Sequence, residues 1–350
     1  MKTDDFYAVI LSGGSGERFW PLSTPDRPKQ FLSVFGGKSL IRQSVDRLAG
    51  LVPPERILVV TADALVPATR RELPDLPRAN IVGEPCRRDT AAAVATACGL
   101  AERLGGEDAV VAILTADHLM GNVPAFRRML SDAARAAART DAIVTMGVTP
   151  DYPATGFGYI QTGPLVDVGT KTPFHRARRF VEKPDEATAR RYLKSGRFVW
   201  NAGMFVWRVK SMKTALREAS DELIGLEMAV ANRRRPVSKT LAALYPPLPR
   251  ISVDYAVMEK ARNILVASGD FGWDDVGSFA AFDKYFPHDS RGNVREGPCT
   301  VVEADGNICV ARSARISLLG VKNLVVVTTP DSVLVADKSR LTDMKKLFKR

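Results

Sequence analysis

The chain has 350 residues, of which 45% are hydrophobic and 25% are charged, and its formal net charge is +11. This length suits one large domain plus an appendage, and the composition is ordinary for a soluble globular protein. No stretch reaches about 18 uninterrupted apolar residues, so we expect no transmembrane helix.

The chain shows no sign of export or of a nucleic-acid partner. Its first five residues, MKTDD, contain no apolar export segment, and its four cysteines form no CxxC pair, which predicts a cytoplasmic protein with reduced thiols. The positive charge is scattered, and the tight clusters at 233–235 and 345–350 lack interleaved aromatic residues. We therefore expect no nucleic-acid or membrane partner, and a basic surface of this kind suits small polyanionic substrates.

The first 150 residues alternate between two kinds of pattern. Apolar runs predict buried strands and alanine-rich stretches predict helices. The strands are expected at 8–11, 57–61, 109–114 and 142–148, and the helices at 90–104 and 124–139. This alternation predicts an α/β fold with a Rossmann-like mixed, mostly parallel sheet that is flanked by helices. Ligands of such sheets bind outside the carboxyl ends of the strands.

The pattern changes twice further along the chain. After about residue 155 we expect strands at 156–160, 174–182 and 198–209, a helix at 185–195, and more helices to about 260. Past about residue 290, short β-rich pieces at 300–303, 308–311 and 324–327 precede a closing helix at 341–349. We predict one domain over 1–289 and a small β-rich segment over 290–350. The segment 235–249 carries four prolines and is the best linker candidate.

A glycine-rich turn follows the first predicted strand. It reads Ser12-Gly13-Gly14-Ser15-Gly16, with Arg18 directly after it and Lys29 further on. Backbone N–H groups and cations at the end of a strand suit phosphate, although an ordinary turn with surface cations is the alternative. A P-loop needs Lys after its last glycine, but Glu17 stands there. A dinucleotide fingerprint is also excluded, because Phe19 occupies its third small position and no acidic residue closes the next strand.

The run GGSGERFWPLS, followed by PKQFL, closely resembles the signature of the sugar-nucleotide pyrophosphorylase family, and its second part is similar to the mannose-1-phosphate guanylyltransferase branch. The resemblance implies a fold of the nucleotide-diphospho-sugar transferase type. It implies that Arg18 faces the triphosphate and that Lys29 faces the reacting phosphates. The nucleotide-binding residues that it implies in this loop are Leu11, Gly13, Gly14, Ser15 and Gly16. Glu17 and Phe19 stand where Thr and Leu are more usual.

Two aspartates are candidates for a Mg²⁺ site. Asp117 follows an apolar run, where a carboxylate holds Mg²⁺ well, and capping of the next turn is an equally good alternative. The segment FGWDDVGS at 271–278 resembles a late stretch of the family, and the resemblance implies that Asp275 is a metal ligand paired with Asp117. Asp274 stands where Ser is common, so the choice between Asp274 and Asp275 stays open, with position favouring Asp275.

The segment EPCRRDTA at 84–91 resembles a nucleotide-contacting segment of the family. Glu84 suits guanine, because its carboxylate matches the N1–H and amino donors of that base. The resemblance also implies nucleotide contacts for Arg88 and Thr90. Asp89 replaces the usual Asn, and a helix cap is the alternative for Asp89 and Thr90.

Three segments resemble sugar-phosphate segments of the family, namely TGFGYI at 155–160, FVEKPD at 180–185 and WNAGMF at 200–205. They imply sugar-phosphate contacts for Gly156, Tyr159, Glu182, Lys183 and Asn201. For the aromatic residues Trp200, Phe205 and Trp207 we favour core packing.

Two residues near these motifs have alternative roles. In the segment ISVDYAVMEK, which resembles the guanylyltransferase branch, Ser252 or Asp254 is expected to cap a helix. The alternative for Asp254 is that it reaches the sugar. His118 has no metal-ligand spacing to the other histidines and is expected to lie beside Asp117 without touching the metal.

The resemblance implies an enzyme that makes GDP-mannose and pyrophosphate from GTP and mannose 1-phosphate, by in-line attack on the α-phosphate. Arg18, Lys29, Asp117 and Asp275 are the expected catalytic residues and Mg²⁺ the expected cofactor. Because the sequence stops at Arg350, we expect the transferase activity alone. Two alternatives are a pyrophosphorylase for another sugar 1-phosphate or nucleotide, and a catalytically silent sugar-nucleotide sensor. A homodimer is the oligomeric state that we consider.

Overall fold

The computed structural model describes residues 5–14 and 16–348. It forms two compact units, neither of which is a continuous stretch of chain. Unit 1 comprises Met1–Gly13, Ser44–Ala116 and Met120–Trp273, and unit 2 comprises Gly14–Gln43, Asp117–Leu119 and Asp274–Arg350. The predicted domain boundary between 289 and 290 stays a prediction. Within the described residues, no helix is both long and apolar enough to cross a membrane.

The strands follow the apolar runs of the sequence. In chain order they are β1 (Phe6–Ser12), β2 (Ile57–Ala62), β3 (Ile81–Glu84), β4 (Val110–Thr115), β5 (Leu119–Met120), β6 (Ile143–Val148), β7 (Tyr159–Val166), β8 (Phe174–Val181), β9 (Phe198–Arg208), β10 (Ile264–Ser268), β11 (Trp273–Asp274), β12 (Val294–Glu296), β13 (Cys299–Val302), β14 (Ile308–Ala311), β15 (Ile316–Leu319), β16 (Leu324–Thr328) and β17 (Val333–Asp337).

The α-helices are mostly short, apart from two long ones. They are α1 (Leu40–Asp46), α2 (Val66–Glu72), α3 (Asp89–Gly105), α4 (Val123–Thr140), α5 (Glu186–Ser195), α6 (Val209–Ala219), α7 (Asp221–Ala231), α8 (Val237–Leu244) and α9 (Ala281–Tyr285). A π-helical turn covers Asp254–Met258 and a 3₁₀ helix covers Lys338–Phe348. The predicted closing helix at 341–349 is therefore 3₁₀ over its described part, and Lys349 lies outside the described residues.

Unit 1 contains a nine-stranded sheet in the order β3-β2-β1-β4-β9-β6-β10-β8-β7. The strands β8 and β9 run opposite to the other seven, as the antiparallel pairs with β10, β4 and β6 show. The carboxyl ends of β1 and β3 therefore lie at the same edge of the sheet, which places Gly13 and Glu84 together. The expected α/β class with a mixed, mostly parallel sheet is confirmed.

The core of unit 1 depends on small residues in α3. The helix buries a run of alanines, and a Cβ added at Gly99 would lie 2.5 Å from the backbone oxygen of Glu227 in α7. The two helices thus approach closely because α3 presents almost no side-chain volume at that point. This close packing explains why an alanine-rich stretch forms a buried helix.

Two sequence-based predictions about unit 1 are wrong. The segment 235–249 is not a linker, because it contains α8 and buries Leu241, Tyr245 and Leu248 in the core. Its first proline, Pro236, is the N-cap of α8, a position where proline does not interrupt a helix. The strand expected at 156–160 begins only at Tyr159 and extends to Val166.

Unit 2 contains a parallel β-helix-like stack. The strands β12, β14 and β16 pair in parallel, β17 adds to them antiparallel, and β13 pairs with β15. In this register Val294, Ile308 and Val325 lie above one another and are all buried. Phenylalanines from other segments of unit 2 complete this core, including Phe19 and Phe279. The expected C-terminal β-rich part is confirmed.

Two buried asparagines link successive turns of this stack. Asn293 donates to the backbone oxygen of Ala304 at 2.8 Å, and its own side-chain oxygen accepts from the backbone and side-chain nitrogens of Asn307. Asn307 then accepts from the backbone N–H of Leu324 at 2.9 Å and donates to the backbone oxygen of Val321. Backbone groups that the strands leave unpaired are thus satisfied inside the stack.

We predict that Asn307→Leu destabilises the protein by about 3 kcal/mol, because it leaves several buried polar groups without partners. Chemical denaturation followed by circular dichroism measures the change. Thr300→Ala, which alters an exposed side chain of the neighbouring β13, is the control and should change stability by less than about 0.5 kcal/mol. Equal stability of Asn307→Leu and the control would contradict a structural role of the asparagine pair.

Candidate active site

The glycine-rich loop needs glycine most at Gly16. Its φ is +66°, and an added Cβ would lie 2.5 Å from the backbone nitrogen of Lys29. A Cβ at Gly14 would meet nothing within 4 Å, and one at Gly13, in unit 1, would lie 3.6 Å from a carboxylate oxygen of Glu84. Gly16 therefore lets the loop pass directly beside the segment that carries Lys29. Ser15 lies outside the described residues.

Lys29 is the centre of a charged cluster in unit 2. Its side chain is almost fully buried, and Nζ donates to Oδ2 of Asp117 at 2.8 Å and to the backbone oxygen of Asp275 at 2.5 Å. Burial alone would raise the pKa of Asp117, but the Lys29 ammonium and His118 outweigh it and lower that pKa to about 2. His118 lies 3.8 Å from Oδ1 of Asp117, as expected. Asp117 thus stays ionised throughout the physiological range.

The side chains of Asp275 and Arg18 both come close to Gly277. A Cβ added at Gly277 would lie 3.0 Å from Asp275 Oδ2 and 3.3 Å from a guanidinium nitrogen of Arg18. Val276, between the aspartate and the glycine, has a φ of +47°, which is strained for a β-branched residue. Burial raises the pKa of Asp275, while Lys29 and Arg18 oppose the rise and Asp274 and Asp117 add to it.

Both carboxylate oxygens of the neighbouring Asp274 accept hydrogen bonds from groups of unit 2. Its Oδ1 accepts from the backbone N–H of Val276 at 2.7 Å, and its Oδ2 accepts from Lys284 Nζ at 2.7 Å and from the Tyr285 hydroxyl at 3.0 Å. A carboxylate with both oxygens occupied in this way stabilises its own loop. These contacts favour Asp275 over Asp274 as a metal ligand.

The residues of this cluster fit a divalent metal ion. Carboxylate oxygens are the ligands that hard divalent cations such as Mg²⁺ prefer, and Asp117 and Asp275 bring two carboxylates to the surroundings of Lys29. Among the described residues, no group of three or more His, Cys, Asp or Glu side chains could hold a metal. A site with two carboxylates matches an ion that takes its remaining ligands from phosphates and water.

Glu84 in unit 1 has a partner that sequence reasoning missed. The hydroxyl of Tyr245 donates to Oε1 of Glu84. The other carboxylate oxygen, Oε2, is the atom that a Cβ added at Gly13 would approach most closely. Burial raises the pKa of Glu84 to about 7, and the Tyr245 hydrogen bond holds it from rising further. Tyr245 lies in the segment wrongly predicted to be a linker, and a large aromatic residue among those prolines was the available signal.

Arg88 and Thr90 bond to the protein itself. Arg88 donates from Nε to the backbone oxygen of Pro246 at 2.8 Å, and Thr90 Oγ1 accepts from the backbone N–H of Val253 at 2.9 Å. Asp89 has a φ of +63° and accepts from the backbone N–H of Thr90. Both nucleotide contacts stay predictions, and the observed bonds tie the start of α3 to the segment around 246–253.

The sugar-phosphate motifs come together in unit 1. Lys183, whose φ is +45°, donates to Oε1 of Glu182 at 2.6 Å. A Cβ added at Gly158 would lie 2.5 Å from the other oxygen of Glu182 and 3.4 Å from Cβ of Asn201. Asn201 in turn donates to Oδ1 of Asp254 at 2.9 Å. Gly158, and not Gly156, is therefore the glycine of this motif that the packing requires.

The aromatic residues of these motifs are mainly structural. Trp200, Phe205 and Trp207 are all buried, so the prediction of core packing is confirmed. Tyr159 is fully buried too, with its ring 5.5 Å from that of Tyr192. Gly156 is exposed. The sugar-phosphate contacts of Gly156 and Tyr159 stay predictions without support from these positions.

Comparisons with known proteins match this arrangement. The family model of the nucleotidyl transferases matches residues 7–291, and that of the MannoseP isomerase/GMP-like beta-helix domain matches residues 297–350. The chain belongs to the nucleotidyl transferase family. Members of this family generally use a divalent metal.

Individual relatives indicate which branch of the nucleotidyl transferase family the chain resembles. A mannose-1-phosphate guanylyltransferase from Escherichia coli is 38% identical over 346 residues, which cover 97% of this chain and 72% of the relative. Another, ManC from Salmonella typhimurium, is 36% identical over 100% of this chain and 74% of its own length. The resemblance to the mannose-1-phosphate guanylyltransferase branch is therefore confirmed.

Two solved structures are similar to this chain. A crystal structure described as a mannose-1-phosphate geranyltransferase from Thermus thermophilus has a TM-score of 0.87 and 35% identity, and it covers 99% of both chains. A structure described as mannose-6-phosphate isomerase from Helicobacter pylori has a TM-score of 0.61 and 25% identity, and it covers 77% of this chain and 99% of that one.

We predict that Gly16→Ala destabilises the protein by about 1–3 kcal/mol, because the new Cβ requires a strained φ and meets the backbone of Lys29. Gly14→Ala is the matched control, since its Cβ has room, and it should change stability by less than about 0.5 kcal/mol. Thermal unfolding of both variants tests this difference. Similar melting temperatures of the two variants would show that the loop does not depend on Gly16.

Proposed function

We propose that this chain transfers the guanylyl group of GTP to mannose 1-phosphate and releases pyrophosphate, the activity that the names of its guanylyltransferase relatives describe. The observation that carries the proposal is the cluster around Lys29 in unit 2. It combines two cations with two carboxylates, and the chemistry of phosphate groups needs both kinds of group.

In the proposed reaction a phosphate oxygen of mannose 1-phosphate attacks the α-phosphorus of GTP. The bond from that phosphorus to the bridging oxygen breaks, and pyrophosphate leaves with the electron pair. Such a transfer depends on positioning and on neutralisation of charge, so the protein needs no nucleophile of its own.

The two cations have different positions in this proposal. Lys29 has three N–H donors, of which Asp117 and the backbone of Asp275 take two among the described residues, so one would serve an oxygen of the reacting phosphates. Arg18 contributes a fixed charge beside Asp275 and would offset the charge of the departing pyrophosphate. Both effects lower the barrier by stabilising negative charge that is spread over the transition state.

Asp117 and Asp275 would hold Mg²⁺ in this proposal. When bound, the ion would neutralise charge on the phosphate oxygens of both substrates. The role of the chain is to keep both carboxylates ionised, and Lys29 supports this for each of them through its charge.

Unit 1 would supply the groups that select the substrates. Glu84 presents a carboxylate to the N1–H and amino group of guanine, a pair of donors that adenine lacks. Glu182 and Lys183 would meet the sugar phosphate, with the lysine offering a charge to the phosphate. In this proposal neither Glu84 nor Glu182 takes part in the chemical step.

We predict that Asp117→Asn and Asp275→Asn each lower the rate of pyrophosphate release by at least about a hundredfold, because charge stabilisation at the reacting phosphates is lost. Asp274→Asn is the matched control, since Asp274 is bonded to Lys284 and Tyr285, and it should retain activity within about tenfold. The assay measures pyrophosphate from GTP or ATP with mannose or glucose 1-phosphate. Normal turnover of both site variants would contradict the two-carboxylate site, and no release with any substrate pair would favour the silent sensor.

We predict that GTP affinity increases as the pH rises from 6 to 8. The pKa of Glu84 is about 7, so the carboxyl is mostly protonated at pH 6 and ionised at pH 8, where it accepts two hydrogen bonds from guanine. Calorimetric titration with GTP at several pH values measures the effect. Since the terminal phosphate of GTP also titrates here, Glu84→Gln is the control, and its smaller pH dependence isolates the carboxyl. Identical pH profiles in the two proteins would move guanine recognition to another group.

A further inference from the structure

Most of the hydrogen-bonding capacity of the Asn201 side chain is taken up by other groups of the protein. Its Oδ1 accepts from the backbone N–H of Gly203 at 3.1 Å and from Thr145 Oγ1 at 3.3 Å, and its Nδ2 donates to Asp254 Oδ1 at 2.9 Å. An amide oxygen has two lone pairs, so both acceptor sites are occupied. Asn201 therefore has at most one N–H left for a ligand and no acceptor for a sugar hydroxyl.

Asp254, by contrast, has acceptor capacity left. Among the described residues, Asn201 gives it one side-chain hydrogen bond, whereas a carboxylate accepts about four. Its charged neighbours are Glu182 and Lys183, the residues proposed to meet the sugar phosphate. A partly buried carboxylate of this kind lies in the right cluster to accept from hydroxyl groups.

Capping does not account for Asp254. From the sequence, either Ser252 or Asp254 is expected to be the cap of this helix. The cap is made by Ser252, whose Oγ accepts from the backbone N–H of Tyr255 at 3.3 Å. Asp254 instead begins the π-helical turn, in which its backbone oxygen accepts from the N–H of Glu259. Such single turns are rare and occur frequently at functional sites.

We propose that Asp254 accepts a hydrogen bond from a ring hydroxyl of the hexose 1-phosphate, and that Asn201 is a positioning residue that holds its carboxylate in place. This assignment rests on the proposed function. The ring hydroxyl groups of the hexose are neutral O–H donors, which suit an ionised carboxylate as the acceptor. Lys183 remains the group that meets the phosphate. The sugar and its phosphate are thus recognised by different residues of one cluster.

The first test compares Asp254→Asn with Lys183→Met. The amide introduced by Asp254→Asn keeps an oxygen for Asn201 but loses the charged acceptor, so the KM for mannose 1-phosphate should rise about tenfold to a hundredfold at pH 8, while the KM for GTP changes less than about twofold. Lys183→Met should raise the same KM. Competitive inhibition by inorganic phosphate distinguishes the two variants. Lys183→Met should weaken this inhibition, whereas Asp254→Asn should not.

The second test is a double-mutant cycle with Asn201→Ala. If Asn201 acts through Asp254, the double variant Asn201→Ala/Asp254→Asn has the same KM for mannose 1-phosphate as Asp254→Asn, within about twofold. Effects that multiply would show that Asn201 contacts the sugar itself, and would overturn its positioning role.

The pH dependence gives a readout that a purely structural role would not change. Burial and Glu182 raise the pKa of Asp254 to about 6, and Asn201 and Lys183 oppose the rise. The acceptor is therefore lost as the pH falls through about 6, and the KM for mannose 1-phosphate should rise more steeply below pH 6 in the unmodified protein than in Asp254→Asn. The titration of the substrate phosphate is common to both proteins and cancels in this comparison.

The outcomes separate this proposal from the proposed function. An unchanged KM for mannose 1-phosphate in Asp254→Asn, with normal GDP-mannose synthesis by the unmodified protein, would overturn the role of Asp254 alone. If the unmodified protein makes no product, calorimetric titration with mannose 1-phosphate still decides, since Asp254→Asn must weaken binding. Asp254→Ser serves as the second variant if Asp254→Asn does not fold, and it should raise the same KM.

Discussion

The ammonium group of Lys29 joins the parts of unit 2 that are far apart in the sequence. Its partners, Asp117 and Asp275, lie 88 and 246 residues away along the chain. Each belongs to a different one of the three segments that make up unit 2. A buried lysine is costly unless it is paired and hydrogen-bonded, so the fold of these three segments and the charge of the lysine depend on each other.

Hydrophobic packing also holds these three segments of unit 2 together. Phe19 follows the glycine-rich loop, Phe279 and Phe282 follow Asp275, and all three pack in one cluster with the valines of the β-helix-like stack. Phe19 stands where the family more usually has Leu, and its fully buried ring explains why a large apolar residue is accepted there. The C-terminal strands thus support the segments that carry the charged cluster, which gives them a role in the site without any residue of β12 to β17 in it.

Local patterns predicted the strands and the long helices well, because apolar runs and alanine-rich stretches decide these elements without distant partners. The segment 235–249 was mispredicted because proline was counted as a breaker, although Pro236 stands just before a helix, where it is tolerated. The partner of Glu84 was out of reach for a different reason. Tyr245 lies 161 residues away, and no local pattern encodes a contact across that separation. The same holds for Asn201 and Asp254, which are 53 residues apart.

The carboxylates of unit 1 and unit 2 differ in what holds them, and this difference fits the different tasks proposed for them. Asp117 is held by a cation, which lowers its pKa and keeps its carboxylate negatively charged. Glu84 and Asp254 are held mainly by neutral donors, a tyrosine hydroxyl and an asparagine amide, and burial raises the pKa of both. A neutral partner orients a carboxylate without cancelling its charge, so the carboxylate keeps acceptor capacity for the N–H or O–H groups of a ligand. The partner that the fold brings to each acid thus decides whether its pKa falls, as for Asp117, or rises, as for Glu84 and Asp254.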